Sequence, residues 1–380
     1  MKKYINISGL ILRDTNRGTA ALGYGSISFL REKGFLKEGQ ELVQYKVVKK
    51  FWKYKDYSET LVVQGLKIKR HIVHINVFEH FLLLKTGFTI PLSKLSRTLK
   101  QLDFVAAING GDGFSDIYNT KTFFSRLPDI NIAMAANVPV IILPQTLGPF
   151  SDKSNYQIAS KILKYARKVY VRDNKFVNDL NQMGVSYEIA KDLSAYMKPE
   201  PWDIEIPPDS IGLNISGLCY SNTFRTLSGQ FGMYPDLINR IIKHFQSKGK
   251  FVYLIPHSYA YGLIEQSNDD LEACRLAYER LEDKTNVIFV DKDLTSPQVK
   301  YLISKMSFFC GTRMHSNFAA IYSGVPLFGL SYSYKFEGAF NANGLDGSKQ
   351  TSTINNITKS DIEPIIEKLE RFYQETIKLR

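Results

Sequence analysis

The sequence predicts an α/β protein made of two consecutive units, each a parallel sheet faced by helices. Three observations predict this. Short β-rich runs alternate with helical stretches along most of the 380 residues, a pattern that builds parallel sheets through crossovers. The alternation breaks once, at Pro199, Pro201, Pro207 and Pro208, and then restarts. Polar or glycine-rich turns stand where strands give way to helices, the place where such sheets bind ligands.

In the first half, a strand at the N-terminus runs into Arg13-Asp14-Thr15-Asn16-Arg17-Gly18-Thr19, followed by a small-residue helical stretch. Strands are expected over 102–108, 138–143 and 168–171. Helices are expected over 122–137, 154–167 and 174–183, the last stopped by Gly184. In the second half, strands are expected over 211–215, 251–255, 287–290, 306–310 and 327–330. Helices are expected over 237–246, 271–281, 296–304, 317–323 and 361–378, with Pro297 in a first turn. The domains follow: 1–205, 206–360, and a C-terminal helix over 361–380 expected to pack back on the first domain.

The composition, 44% hydrophobic and 23% charged, is that of a globular chain, not a disordered one. A formal charge of +12 favours anionic partners without choosing among them. Its densest patch, residues 46–55, interleaves five lysines with Phe51, Trp52 and Tyr54. That suits a membrane surface or single-stranded nucleic acid, or else an edge strand guarded by lysines. Cys219, Cys274 and Cys310 lie too far apart for metal-ligand spacing and are odd in number, which fits a reducing compartment. No apolar run reaches the length of a membrane span, and the N-terminus lacks a signal-like apolar region. The expectation is a cytoplasmic protein, with peripheral contact to the inner face of the cytoplasmic membrane left open.

The turn with the most chemistry is Gly311-Thr312-Arg313-Met314-His315-Ser316. A strand precedes it and a helical pattern follows. Helix N-termini attract anions; Arg313 adds a fixed cation, and the His315 imidazole a titratable ring. Other turns add candidates. Gly110-Gly111-Asp112-Gly113 lets backbone approach a ligand, with Asp112 and Asp116 to orient hydroxyls or take a proton; its spacing is neither a Walker loop nor a dinucleotide fingerprint. Gln145 and Thr146 lie in a stiff Pro144–Pro149 loop. Arg172 is either an anion clamp or the partner of Asp173. His257 ends a strand, and Lys335 follows the last core strand. Each has a purely structural alternative: a cap, a local ion pair or a solvated side chain.

Together these turns resemble the polysaccharide pyruvyl transferase family. The resemblance rests on Gly-Gly-Asp-Gly at 110–113, Leu-Pro-Gln-Thr-Leu-Gly-Pro-Phe at 143–150 and Val-Arg-Asp at 171–173. Ile-Pro-His at 255–257, Gly-Thr-Arg-Met-His at 311–315 and the run 323–336 complete the order. It implies two Rossmann-like domains facing a cleft, as in GT-B glycosyltransferases. It implies phosphoenolpyruvate as donor and a saccharide as acceptor, often linked to a prenyl diphosphate carrier, in capsule or exopolysaccharide synthesis. The product would be a pyruvate ketal, with phosphate released and phosphoenolpyruvate a co-substrate; no cofactor, metal or nucleic acid is expected. Arg313 and His315 carry over to the donor site, with Arg172, His257, Lys335 and Ser316 as further donor contacts. The acceptor side takes Asn16, Gly110, Gly111, Gln145 and Thr146. His315 is the expected acid/base, with Asp112 or Asp116 as the carboxylate. The family's first glycine turn usually has a third glycine where Asp112 stands.

Two other readings fit the same pattern. A nucleotide-sugar glycosyltransferase of GT-B type would place a diphosphate on the Arg313–His315 turn. A basic polysaccharide- or nucleic-acid-binding protein would need only the charge, although the basic residues are dispersed and no nucleic-acid module is visible.

Overall fold

The computed structural model describes residues 2–261, 266–333 and 335–378. The chain divides into two units. One holds residues 1–12 and 22–197; the other holds 13–21 and 198–380. The boundary expected at 205 is found at Met197, and the proline run belongs to the second unit. Residues 13–21, which the linear order placed in the first domain, also belong to the second. The helix Arg17–Glu32 therefore begins in one unit and continues in the other.

In the first unit, the described strands are β1 (Tyr4–Ser8), β2 (Glu41–Val48), β3 (Tyr57–Val63), β4 (Leu66–Asn76), β5 (Leu102–Ala107), β6 (Val140–Gln145), β7 (Lys168–Val171) and β8 (Glu188–Ile189). They form one sheet in the order β3-β4-β2-β1-β5-β6-β7-β8. Pairing is parallel except for the β3–β4 hairpin. Gln64 (φ 53°) and Gly65 (φ 79°) close that hairpin, two left-handed residues as a tight turn between twisted strands requires. The edge-strand reading of residues 46–55 is corrected here. β2 is interior, between β1 and β4, and residues 49–56 form the loop that leaves it. The central strands β5 and β6 are buried along almost their whole length and apolar except for Asp103 and Gln145, as strands of a parallel sheet covered on both faces are. The expected helix 122–137 is two helices, Thr120–Ser125 and Pro128–Ala135. Pro128 has no N–H to continue the first and starts the second.

In the second unit, the described strands are β9 (Ile211–Asn214), β10 (Val252–Leu254), β11 (Val287–Phe289), β12 (Phe308–Gly311), β13 (Leu327–Ser331) and β14 (Thr351–Thr353). Their order is β11-β10-β9-β12-β13-β14, all parallel. Helix Tyr234–Gln246 buries Leu237, Ile238, Ile241, Ile242 and Phe245, one face of a 3.6-residue period. The C-terminal helix Ile362–Lys378, expected to pack back on the first domain, belongs to the second unit and packs on that helix. Its apolar face is the reason: Tyr373 meets Phe245 and Phe308 at ring-centroid distances of 5.2 and 5.1 Å. Arg240–Glu363 (2.6 Å) and His244–Glu370 (2.8 Å) flank the seam.

Both sheets have one point where strand order reverses. It lies between β1 and β5 in the first unit and between β9 and β12 in the second. Crossovers leave in opposite directions there, and a crevice opens beyond the strand C-termini. The Gly110–Gly111 turn follows β5, and the Arg313 turn follows β12. No helix among the described residues is long and apolar enough to cross a membrane.

Candidate functional site

The second unit gathers its chemistry at the C-terminal ends of β9, β10 and β12. Gly311 is the last residue of β12. Its lack of a side chain serves close packing, since a Cβ there would lie 2.1 Å from Asn317 Oδ1. Arg313 caps helix Met314–Ile321 with extended backbone, so His315 stands in the first turn of that helix, earlier than expected. The Arg313 amide donates to Asn214 Oδ1 at 2.8 Å, which locks the turn to the neighbouring strand.

Arg313 is only 8% exposed. Its Nε lies 3.1 and 3.2 Å from the two carboxylate oxygens of Asp270, and its Nη2 lies 2.6 Å from Oδ1. Nη2 also donates to Asn268 Oδ1 at 2.6 Å. Burial works against the charge, but the Asp270 carboxylate more than offsets it, and the guanidinium pKa is raised. Asp270 is fully buried. It also accepts from the Gly217 amide (2.8 Å) and the His257 amide (3.1 Å), so one carboxylate ties three strand ends together.

His257 is buried, and its pKa is held well below the ordinary imidazole value. Burial is the main cause; His315, Arg313 and Arg17 add repulsion. At neutral pH it is an uncharged ring, not the cation a donor contact would want. His315 is half-buried, edge-on to Phe318 at 5.6 Å. Gly18 packs directly against the ring: a Cβ at Gly18 would lie 2.7 Å from Cγ and Nδ1 of His315.

Asn16, expected on the acceptor side, is in this unit beside His257. It bridges to Ser258, and the Arg17 amide donates to the His257 carbonyl at 3.0 Å. The Asn16 side chain accepts from the Gly18 amide at 2.9 Å, an Asx turn that starts the helix. Arg17 anchors the segment. It stacks on Tyr259 at 4.2 Å, pairs with Asp293, and donates to the Leu294 carbonyl at 2.6 Å. Ser316 is fully buried, its hydroxyl spent on Asn214 Oδ1 (3.0 Å) and the Arg313 carbonyl (2.7 Å). These contacts hold the turn. The Lys335 side chain lies outside the described residues.

The first unit holds the other candidates. Gly110 (φ 72°) and Gly111 (φ 86°) are both left-handed. Arg126 fills the inside of this turn and donates to the Asn109 carbonyl at 2.5 Å; a Cβ on Gly113 would collide with it. On the other side, a Cβ on Gly111 would meet Arg172 Nη1 at 3.0 Å and Leu22 at 3.1 Å. Gly111→Ala is expected to lower the thermal midpoint, with about 1–2 kcal/mol lost to the left-handed backbone alone. An unchanged midpoint in calorimetry would reject this account of the turn.

Arg172, expected as a further donor contact, belongs to this unit. Its Nη1 pairs with buried Asp192 at 2.7 Å, and its Nε donates to Thr146 Oγ1 at 3.0 Å. Thr146 in turn donates to Asp173 at 2.5 Å, and its amide to the Gly111 carbonyl at 2.8 Å. Gln145 is fully buried and donates to the Ala107 carbonyl at 3.0 Å, holding β6 to β5. Asp112 is half-buried near Arg172 and accepts from Tyr118 at 2.9 Å.

Asp116 is a staple. It accepts from the Ser151 amide (2.8 Å), the Asp152 amide (3.0 Å) and Asn155 Nδ2 (3.1 Å). Burial raises its pKa, but these bonds outweigh it, so the carboxyl titrates below its usual value. A depressed folded-state pKa gives stability that is present above the unfolded value and lost as pH falls through the folded one. Asp116→Ala should therefore cost stability at neutral pH, with the gap to wild type narrowing in acid. Urea unfolding at pH 7 and near pH 3 measures it; an equal gap at both would refute the role.

Sequence reasoning missed Asp270, Asp192, Asn214 and Arg126. Only Asp270 left a local trace, at the start of an expected helix beside the N-cap Asp269.

The family profile described as polysaccharide pyruvyl transferase matches residues 16–334. Comparison with curated proteins found no match. Among solved structures, a Neisseria meningitidis UDP-GlcNAc 2-epimerase bound to UDP-GlcNAc is 12% identical, with a TM-score of 0.51 over 98% of this chain and 94% of that one. An S. aureus MnaA structure with UDP is also 12% identical, with a TM-score of 0.51 over 99% and 90%. At that identity the likeness shows the fold alone, a GT-B-type pair of parallel-sheet α/β units. The family match spans most of both units, including the turns at 110–113, 143–150, 171–173, 255–257 and 311–315, so the chain belongs to the polysaccharide pyruvyl transferase family.

Proposed function

We propose that the protein transfers the enolpyruvyl group of phosphoenolpyruvate to a sugar and closes it into a pyruvate ketal. The observation that carries this reading is the Arg313 turn. A buried guanidinium is oriented by Asp270 at the head of a helix, with His315 one turn in. A ligand with a carboxylate and a phosphate needs such fixed donors, and the helix amides add to them. Neutral His257 suits a hydrogen bond to the ligand better than charge pairing.

The reaction balances without a redox step. The methylene C3 of the donor takes a proton, and a sugar hydroxyl bonds to C2. The C2–O bond to phosphate breaks as the second hydroxyl adds and loses its proton. One hydroxyl proton ends on C3 and the other leaves with phosphate. His315 gives or takes these protons. Asp112 keeps the carboxylate role, because Asp116 is committed to the 151–155 turn. The acceptor we assign is a sugar of a bacterial surface polysaccharide precursor on a prenyl diphosphate carrier.

The test is direct. Purified protein is incubated with phosphoenolpyruvate and galactose- or mannose-containing acceptors. Phosphate release and a matching mass gain on the sugar are the expected result. Absence of release with every acceptor, together with tight binding of a nucleotide sugar, would overturn the reading in favour of a glycosyltransferase.

A further inference from the structure

We propose that the first unit carries a docking face for an anionic phospholipid bilayer, built from helix Val77–Thr86, the turn after it and loop 49–56. The helix buries Glu79 and Leu83 against its own unit. Phe78 and Phe81 stand on its outer side, 64% and 57% exposed. Phe88 (73%) and Leu92 (79%) extend the patch through the turn. An ordinary surface helix is polar on that side, and apolar residues clustered this densely mark an interaction surface. Leu92 also holds a left-handed backbone, φ 62°, a conformation that costs a leucine energy and here displays its side chain.

The basic-aromatic loop adjoins this patch. β2 and β4 end side by side, Val48 opposite Asn76, so the loop and the helix leave the sheet at the same end. Asp56 ties them: it accepts from the His74 amide at 2.8 Å and pairs with Lys94 at 2.6 Å. Trp52, 69% exposed, adds an aromatic ring to the loop. Lys49, Lys50, Lys53 and Lys55 are exposed in the loop, and Lys85 on the helix. The nearby carboxylates are engaged, Asp56 with Lys94 and Glu79 with Ser93.

An apolar centre with a lysine rim matches a bilayer whose acyl boundary takes the rings and whose anionic headgroups take the ammonium groups. The rim is what selects lipid over a second copy of the chain, which would bring the same positive charge to the contact.

Sedimentation with vesicles tests this, using no donor or acceptor, so the result is independent of the proposed reaction. Wild type should bind equimolar phosphatidylglycerol–phosphatidylcholine vesicles, bind pure phosphatidylcholine far less, and weaken in high salt. Phe78→Ser/Phe81→Ser/Phe88→Ser should bind about tenfold more weakly or worse, with an unchanged circular dichroism spectrum, since these side chains are solvent-facing. Lys49→Glu/Lys50→Glu/Lys53→Glu should lose about as much. The proposal is overturned by failure to bind anionic vesicles, by equal binding to neutral ones, or by a phenylalanine variant that binds like wild type. A wild-type dimer that the phenylalanine variant dissolves, seen by light scattering, would also overturn it and assign the face to a second copy.

Discussion

Asp270→Ala is expected to lower the unfolding free energy by about 3–5 kcal/mol, the cost of removing one partner of a buried ion pair. Asp270 is fully buried and faces the Arg313 guanidinium and the amides of Gly217 and His257. Alanine would leave a buried charge and two buried N–H groups without their acceptor. Asp270→Asn keeps the volume but turns an amide N–H toward donors, so it should recover little. Equilibrium unfolding in urea reads both variants. A loss below about 1 kcal/mol for alanine would mean that Arg313 finds another anion, and the carboxylate would no longer be its anchor. Where Asp270→Asn remains folded, the donor KM should rise more than kcat falls, because a mispointed guanidinium grips the donor poorly.

His315→Ala is expected to lower kcat by about 10²–10⁴-fold, the range for loss of a general acid–base group, while the protein stays folded. The ring is half-buried, edge-on to Phe318 and close against Gly18, so circular dichroism of the variant is read beside kcat. Arg313→Lys should act differently. Lysine cannot reproduce the planar fork, so donor KM rises while kcat is less affected. A His315→Ala enzyme with near-wild-type kcat would remove the ring from the chemistry and leave the turn as an anion site only. Gly18→Ala provides an independent check. Its methyl would strike the His315 ring, so kcat should fall while Arg313-dependent donor binding persists.

Much of the fold was legible because its signals are local. Strand 168–171 and helix 296–304 match the structure residue for residue, since each has an apolar run or period bounded by a turn or a proline. The helix expected over 122–137 failed at Pro128, a breaker that apolar periodicity outvoted. The C-terminal helix was recognised by its period, but its packing partner was not. An amphipathic face announces that it will be buried without saying against which element. Residues 13–21 were read in their linear place, although the bridge from Asn16 to Ser258 assigns them to the second unit.

The site divides the same way. Arg313 and His315 were legible because strand, glycine, cation and helix follow each other within a few residues. For Arg172 the ion pair with its neighbour Asp173 was legible and is present at 3.7 Å, but its stronger partner, Asp192, is 20 residues away and was not. Ser316, expected as a donor contact, and Asp116, a candidate catalytic carboxylate, both hold turns; a sequence does not show those bonds, because a polar side chain at a strand end looks the same with or without them.

The sequence by itself determined the α/β class, the two units, the family's ordered turns and the residues that can carry charge and protons. Those depend on residue type and short-range spacing, which a linear chain displays. Tertiary structure alone decided which of those residues share a unit, which are spent on holding the turns, and that Asp270 orients Arg313. Those depend on burial and on hydrogen bonds between segments far apart in the chain, and both come into being only when the sheets assemble.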